Sequence, residues 1–222
     1  MQIKIPIYQP HLNGNEKKYV TECIESNWIS SKGDFIPKFE KKFSDFIGCK
    51  HSTTVSNGTL IVSHSSALGA TTNAITVSSG ATLQLSNNIT IGANPLSLSG
   101  VGYTGAGGSL VSVGENIYQG SITLGSDTTI NTYSGLFNIT GSGRTISGTN
   151  TNLTFIGAGI LVIDDAISIG TGSITQNGAG ITYLQNSNTY SGGSYLSLGT
   201  LAPSAIGGLG SGKITFQGGS IR

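Results

Sequence analysis

The feature that most limits how this chain can fold is a repeated texture that runs from Leu60 to the end. Short runs of alternating apolar and polar residues recur: Thr82-Leu83-Gln84-Leu85, Ile89-Thr90-Ile91, Leu96-Ser97-Leu98, Leu110-Val111-Ser112-Val113 and Ser121-Ile122-Thr123-Leu124. A period of two is the signature of a half-buried strand. Clusters of Gly, Asn and Ser separate the runs, as at Asn87-Asn88, Gly105-Ala106-Gly107-Gly108, Gly141-Ser142-Gly143 and Gly170-Thr171-Gly172. These are turn signals, and no helical pattern of useful length interrupts them. Local text also returns: Asn131-Thr132-Tyr133-Ser134-Gly135 reappears as Asn188-Thr189-Tyr190-Ser191-Gly192. Repetition of short strands favours a solenoid over a sandwich or a barrel.

Composition supports that choice and divides the chain in two. Residues 1 to 60 carry 14 of the 21 charged residues and 4 of the 34 glycines, so the remaining 162 residues carry 7 charges and 30 glycines. Few charges suit a stack in which Ser, Thr and Asn ladders face water while Ile, Val and Leu fill a narrow core. The expected fold is mainly β, a right-handed parallel β-helix. At roughly 20–25 residues per coil it makes about seven coils, and with strands about 4.8 Å apart it is roughly 30–35 Å long. The expected domains are residues 1–59 and 60–222. A net charge of +1 without a basic cluster gives no electrostatic footprint for nucleic acid. Abundant β-formers argue against disorder, and no apolar run is long enough for a membrane helix. The first residues, Met1-Gln2-Ile3-Lys4-Ile5-Pro6, lack the apolar core of a signal peptide.

Two amphipathic helices are expected in the first segment. Tyr19, Val20, Cys23 and Ile24 recur at helical spacing opposite Glu16, Lys17, Lys18, Glu22 and Glu25. A second set, Phe35, Ile36, Phe39, Phe43, Phe46 and Ile47, stops at Gly48. Thr53-Thr54-Val55-Ser56 reads as a short strand entering Asn57-Gly58-Thr59, a turn of a kind that presents N–H groups and a hydroxyl to a phosphate.

The order Ile5-Pro6, Gly14-Asn15-Glu16-Lys17-Lys18-Tyr19-Val20, Trp28-Ile29-Ser30-Ser31-Lys32-Gly33, Phe39-Glu40 and Ser56-Asn57-Gly58-Thr59 resembles the N-terminus of the DegT/DnrJ/EryC1/StrS family of pyridoxal-phosphate (PLP) dependent sugar aminotransferases. The resemblance covers residues 1 to about 59. It implies that Gly58 and Thr59 are a remnant of the turn that holds the cofactor phosphate. The family continues into a helix, whereas Leu60-Ile61-Val62-Ser63 alternates like a strand. Aminotransfer also needs a Schiff-base lysine and an acidic partner for the pyridine nitrogen. After Thr59 the only lysine is Lys213, in a context unlike the family's. The expectation is no catalytic residue, no bound cofactor and no enzyme activity, with PLP implied by resemblance alone.

The remaining three quarters resemble the autotransporter-associated β-strand repeat of bacterial surface passengers. Ser187-Asn188-Thr189-Tyr190-Ser191-Gly192-Gly193-Ser194 with Leu198-Gly199-Thr200-Leu201 carries the likeness, as does Gly58-Thr59-Leu60-Ile61-Val62 with Ser65-Ser66-Ala67-Leu68-Gly69. It implies a structural or adhesive passenger that self-associates through solenoid edges or acts at the cell surface, here without its membrane barrel. Location stays open, since the first resemblance implies the cytoplasm. Residues 53–59 fit both families, as a junction formed at short homology would.

Other groups have plainer readings. Asp164 and Asp165 invite comparison with paired catalytic carboxylates, but a solvated turn explains them. His51 and His64 are too isolated for a metal site. Cys23 and Cys49 fit a disulfide or buried thiols. Gly105-Ala106-Gly107-Gly108 lacks the ending of a phosphate loop. Tyr103, Tyr118, Tyr133, Tyr183, Tyr190 and Tyr195 read as ladder positions rather than a sugar-binding face.

Overall fold

The fold is that of a computed structural model, which describes residues 16–25, 58–104 and 107–222. The chain divides into two compact units, Met1–Thr53 and Thr54–Arg222. In the first, α1 spans Glu16–Glu25, where the helical period places it. Tyr19, Val20 and Ile24 are exposed there, and Lys18 and Glu22 pair at 3.9 Å one turn apart. The second expected helix, the strand at residues 53–56, Cys49 and His51 lie outside the described residues, as does the side chain of Cys23.

Nineteen strands follow among the described residues of the second unit. They are β1 (Gly58–Val62), β2 (Ile75–Val77), β3 (Ala81–Ser86), β4 (Thr90–Ile91), β5 (Leu96–Gly100), β6 (Leu110–Val113) and β7 (Asn116–Tyr118). The long β8 (Ile122–Ser134) is followed by β9 (Leu136–Ile139), β10 (Thr145–Gly148), β11 (Leu153–Ile156), β12 (Ile160–Ile163) and β13 (Ala166–Ser168). The last are β14 (Ile174–Gln176), β15 (Ile181–Leu184), β16 (Ser194–Leu196), β17 (Thr200–Pro203), β18 (Ile214–Phe216) and β19 (Ser220–Ile221).

Among the described residues every pairing is parallel, and no strand pairs with the next one in sequence. The chain therefore winds. A first ladder runs β1-β3-β6-β8-β11-β14-β16-β18, and a second runs β4-β7-β9-β12-β15-β17-β19. A third runs β2-β5-β8-β10-β13. Strand β8 belongs to two of them because it carries on through a corner: Ile122–Leu124 pair with β5 and β10, and the residues from Thr128 onward pair with β6 and β11. The result is a three-sided parallel β-solenoid. Eight strands in the longest ladder make about eight turns against the expected seven, because coils shrink to 20 residues, as from Ile174 to its partner Ser194 and on to Ile214.

Alternation sends one side chain of each pair inward, and register stacks those side chains into columns. One column reads Leu60, Leu83, Leu110, Ile130, Phe155, Gln176, Leu196 and Phe216. Another reads Ile91, Tyr118, Ile139, Ile163, Leu184 and Pro203. A third reads Ile75, Leu96, Ile122, Ile146 and Ile167. Apart from the polar Gln176, Pro203 and the exposed Phe216, these columns form one continuous apolar core.

The corners explain the glycine content. A Cβ built on Gly180 would lie 2.0 Å from the Gly159 carbonyl oxygen, and one on Gly199 would lie 2.1 Å from that of Gly178. Coils at this corner touch backbone to backbone, so a side chain has no room. Asparagines close the other corners. Asn188 accepts from the Ile167 N–H at 2.8 Å and donates to the Gly208 carbonyl at 2.6 Å, spanning three successive coils.

Candidate functional site

Gly58 opens β1 with φ 106°, and Thr59 beside it is exposed and pairs with Thr82. Strand, not helix, continues from them. Lys213 stands immediately before β18, at the other end of the ladder that β1 begins. Seven strand spacings of about 4.8 Å separate β1 from β18, so the Thr59 turn and Lys213 lie on the order of 34 Å apart. A cofactor held at its phosphate by the first and at its aldehyde carbon by the second is far shorter than that. Thr59 and Lys213 therefore do not fit one PLP molecule held between them.

The three outer faces differ in chemistry. On the first ladder Thr129, Thr154, Thr175, Tyr195 and Thr215 lie in register, while Thr76, Ser97, Thr123, Ser147 and Ser168 do so on the third. Thr189 extends the second row by donating to Ser168 at 3.1 Å. The second ladder is more apolar: Leu136, Ile160 and Ile181 form one row, and Ile117, Asn138, Val162 and Tyr183 the next. No charged residue stands on any of these rows. The unit's charges sit at corners or at the end of the chain, and Asp127 shows how.

At its corner the Asp127 carboxylate accepts from the Asn152 backbone N–H at 2.8 Å and from its side-chain amide at 3.0 Å. Those two bonds hold its pKa below the ordinary carboxylate value. The Asn152 amide oxygen in turn accepts from Ser173, on the next coil.

Asp164 and Asp165 do lie in a turn, between β12 and β13, but the expected solvated pair is only half present. Asp165 is 2% exposed. Burial raises its pKa to about 6, opposed by a bond from the Gly141 N–H. Sequence alone gives no sign of this, because nothing local marks which residue of an acidic pair turns inward.

The tyrosines occupy no common face. Tyr118 and Tyr190 are buried, Tyr183 and Tyr195 stand on different outer faces, and Tyr103 and Tyr133 are exposed. Burial raises the phenol pKa of both Tyr118 and Tyr190. His64 is exposed and accepts from the Ser66 N–H at 3.2 Å. Among the described residues no group of three His, Cys, Asp or Glu side chains is placed to hold a metal, and no helix is long and apolar enough to cross a membrane.

Comparison with known proteins bears on the beginning of the chain. Residues 10–88 match the DegT/DnrJ/EryC1/StrS aminotransferase family. A GDP-perosamine synthase of Vibrio cholerae is 53% identical over 68 residues, 30% of this chain and 18% of its own length. The Escherichia coli O157:H7 GDP-perosamine synthase is 59% identical over 56 residues, and that of Caulobacter vibrioides 50% over 56, each covering 25% of this chain and 15% of the relative. The chain thus spans less than a fifth of these curated relatives. The family match passes the expected limit at residue 59 and runs through β1 and β3, so sequence kinship and solenoid overlap across the first coil. No solved structure matches the chain.

Proposed function

We propose that this chain is a non-catalytic β-solenoid, a structural or adhesive element of the autotransporter-passenger kind, joined to an aminotransferase-family segment that supplies no chemistry. The observation that carries this reading is the separation of Thr59 from Lys213 along one ladder. The uncharged, regular outer faces support it too, since a stiff stack presents repeated rows rather than a pocket. Incubating the full chain with PLP, then reducing with borohydride and measuring intact mass, tests the claim. No aldimine absorbance and no mass increase are expected, whereas a stoichiometric lysine adduct overturns it.

A second reading is favoured by the 53% identity of the N-terminal segment to a GDP-perosamine synthase. In it, the chain is a relic of a sugar aminotransferase, or two genes mis-joined within residues 53–59. Long sequencing reads across those codons separate the readings. Unbroken reads support a working fusion, and reads that always diverge there into two genes exclude one.

A further inference from the structure

The corner around Asp165 combines a buried carboxyl, a tight glycine turn and a carboxyl oxygen that has no hydrogen-bond partner. Asp165 lies against Gly141 of the preceding coil, since Ile163 pairs with Ile139 two residues earlier in each. One part of its carboxyl accepts from the Gly141 N–H, while Oδ2 is buried with no hydrogen-bond partner. A buried charge with one donor is costly, and it is relieved by protonation or by hydration.

The turn and the neighbouring coils pack closely around this carboxyl. The Gly141–Arg144 turn is closed by the Arg144 N–H on the Gly141 carbonyl at 2.9 Å, with Gly143 at φ 70°. A Cβ on Gly141 would lie 2.7 Å from the Gln119 carbonyl oxygen, so the preceding coil is already in contact. On the other side the next coil presents Gln185, Asn186, Ser187 and Asn188, none titratable, and Asn186 spends its amide on the Asp164 carbonyl at 3.2 Å. The charged groups that act on Asp165 are Asp164, which disfavours its ionisation, and Arg144, which favours it.

We propose that the Gly141–Arg144 turn is a pH-operated joint of the solenoid, shut while Asp165 is protonated and released outward when Asp165 ionises. The turn is the part with room to move outward, because Ser142 and Gly143 at its tip are exposed and a Cβ on Gly143 would meet nothing within 4 Å, whereas Asp165 is buried. Opening it wets the carboxyl without parting the ladders.

Hydrogen exchange on the full chain tests the joint. In the closed state Asp165 titrates at about 6 rather than the ordinary 3.8. The opening equilibrium at residues 141–144, corrected for intrinsic exchange, should therefore rise about tenfold per pH unit between those values and level off above. Asp165→Asn should abolish the slope. Arg144→Gln removes the charge that favours ionisation, so its plateau should begin at higher pH, and Asp164→Asn should begin it at lower pH. Protection that is constant from pH 4 to 7 in the parent chain, or a slope that survives Asp165→Asn, overturns the proposal. An Arg144→Gln profile that does not move also overturns it.

Discussion

Gln176 and Thr182 interrupt two apolar columns of the core in the same coil, and the Thr182 hydroxyl donates to the Gln176 amide oxygen at 2.8 Å. Gln176 stands between Phe155 and Leu196, and Thr182 between Leu161 and Leu201. The Gln176 amide nitrogen donates to the Gly178 carbonyl at 2.9 Å, at the corner that links the two strands. The pair is a polar staple inside a dry stack. Replacing Gln176 by Leu makes its column uniformly apolar yet strands a buried hydroxyl and a buried carbonyl. The expected cost is about 1–3 kcal/mol. Adding Thr182→Val should recover part of that loss, which a double-mutant cycle by urea denaturation measures.

Tyr118 makes a similar bond across coils. Its buried hydroxyl donates to the Asn94 carbonyl at 2.6 Å. Tyr118→Phe keeps the ring in its column and removes the donor, so the expected destabilisation is about 1–2 kcal/mol. A change of that size is read from the urea midpoint at unchanged slope.

Much of this was legible in the sequence, and the limits have physical causes. The period of two at Leu83 and Leu85 or Ile122 and Leu124 identifies strands, and recurrence of Asn-Thr-Tyr-Ser-Gly identifies winding. The inward position of Tyr190 within that same motif, opposed to the exposed Tyr133, does not follow from identical text. The two copies stand at different corners: Tyr133 is the last residue but one of β8, at the register shift between β8 and β6, whereas Tyr190 lies between β15 and β16. Corner position, not local sequence, decides which side chain enters the core. The same reason hides Asp165, and the three unlike faces emerge only when register lines up residues 20 or more apart.

The glycine corner gives a sharp contrast between two substitutions of one kind. Gly180→Ala places a methyl 2.0 Å from the Gly159 carbonyl oxygen, so backbone must move in a stack that transmits the shift to the next coil. A cost of about 3 kcal/mol or more is expected, as for overpacking at a site with nowhere to yield. Gly143→Ala meets nothing within 4 Å and carries only the strain of φ 70°, about 1 kcal/mol. Thermal melts of the two variants should therefore differ by several degrees, with Gly180→Ala the lower.

Asp127 titrates in the opposite sense to Asp165. Its folded-state pKa lies below the ordinary 3.8 because Asn152 donates to it twice. A depressed carboxylate contributes stability that is fully present above its unfolded pKa and is lost as pH falls through the folded value. Asp127→Ala should therefore be less stable than the parent chain at pH 7, with the gap closing as the pH is lowered below about 4. The group is exposed, so the gap is small and shrinks with added salt. Urea titrations of both chains at pH 7, 4 and 2.5 measure it. A gap of constant size would mean that Asp127 acts through packing at the β8 corner rather than through its charge.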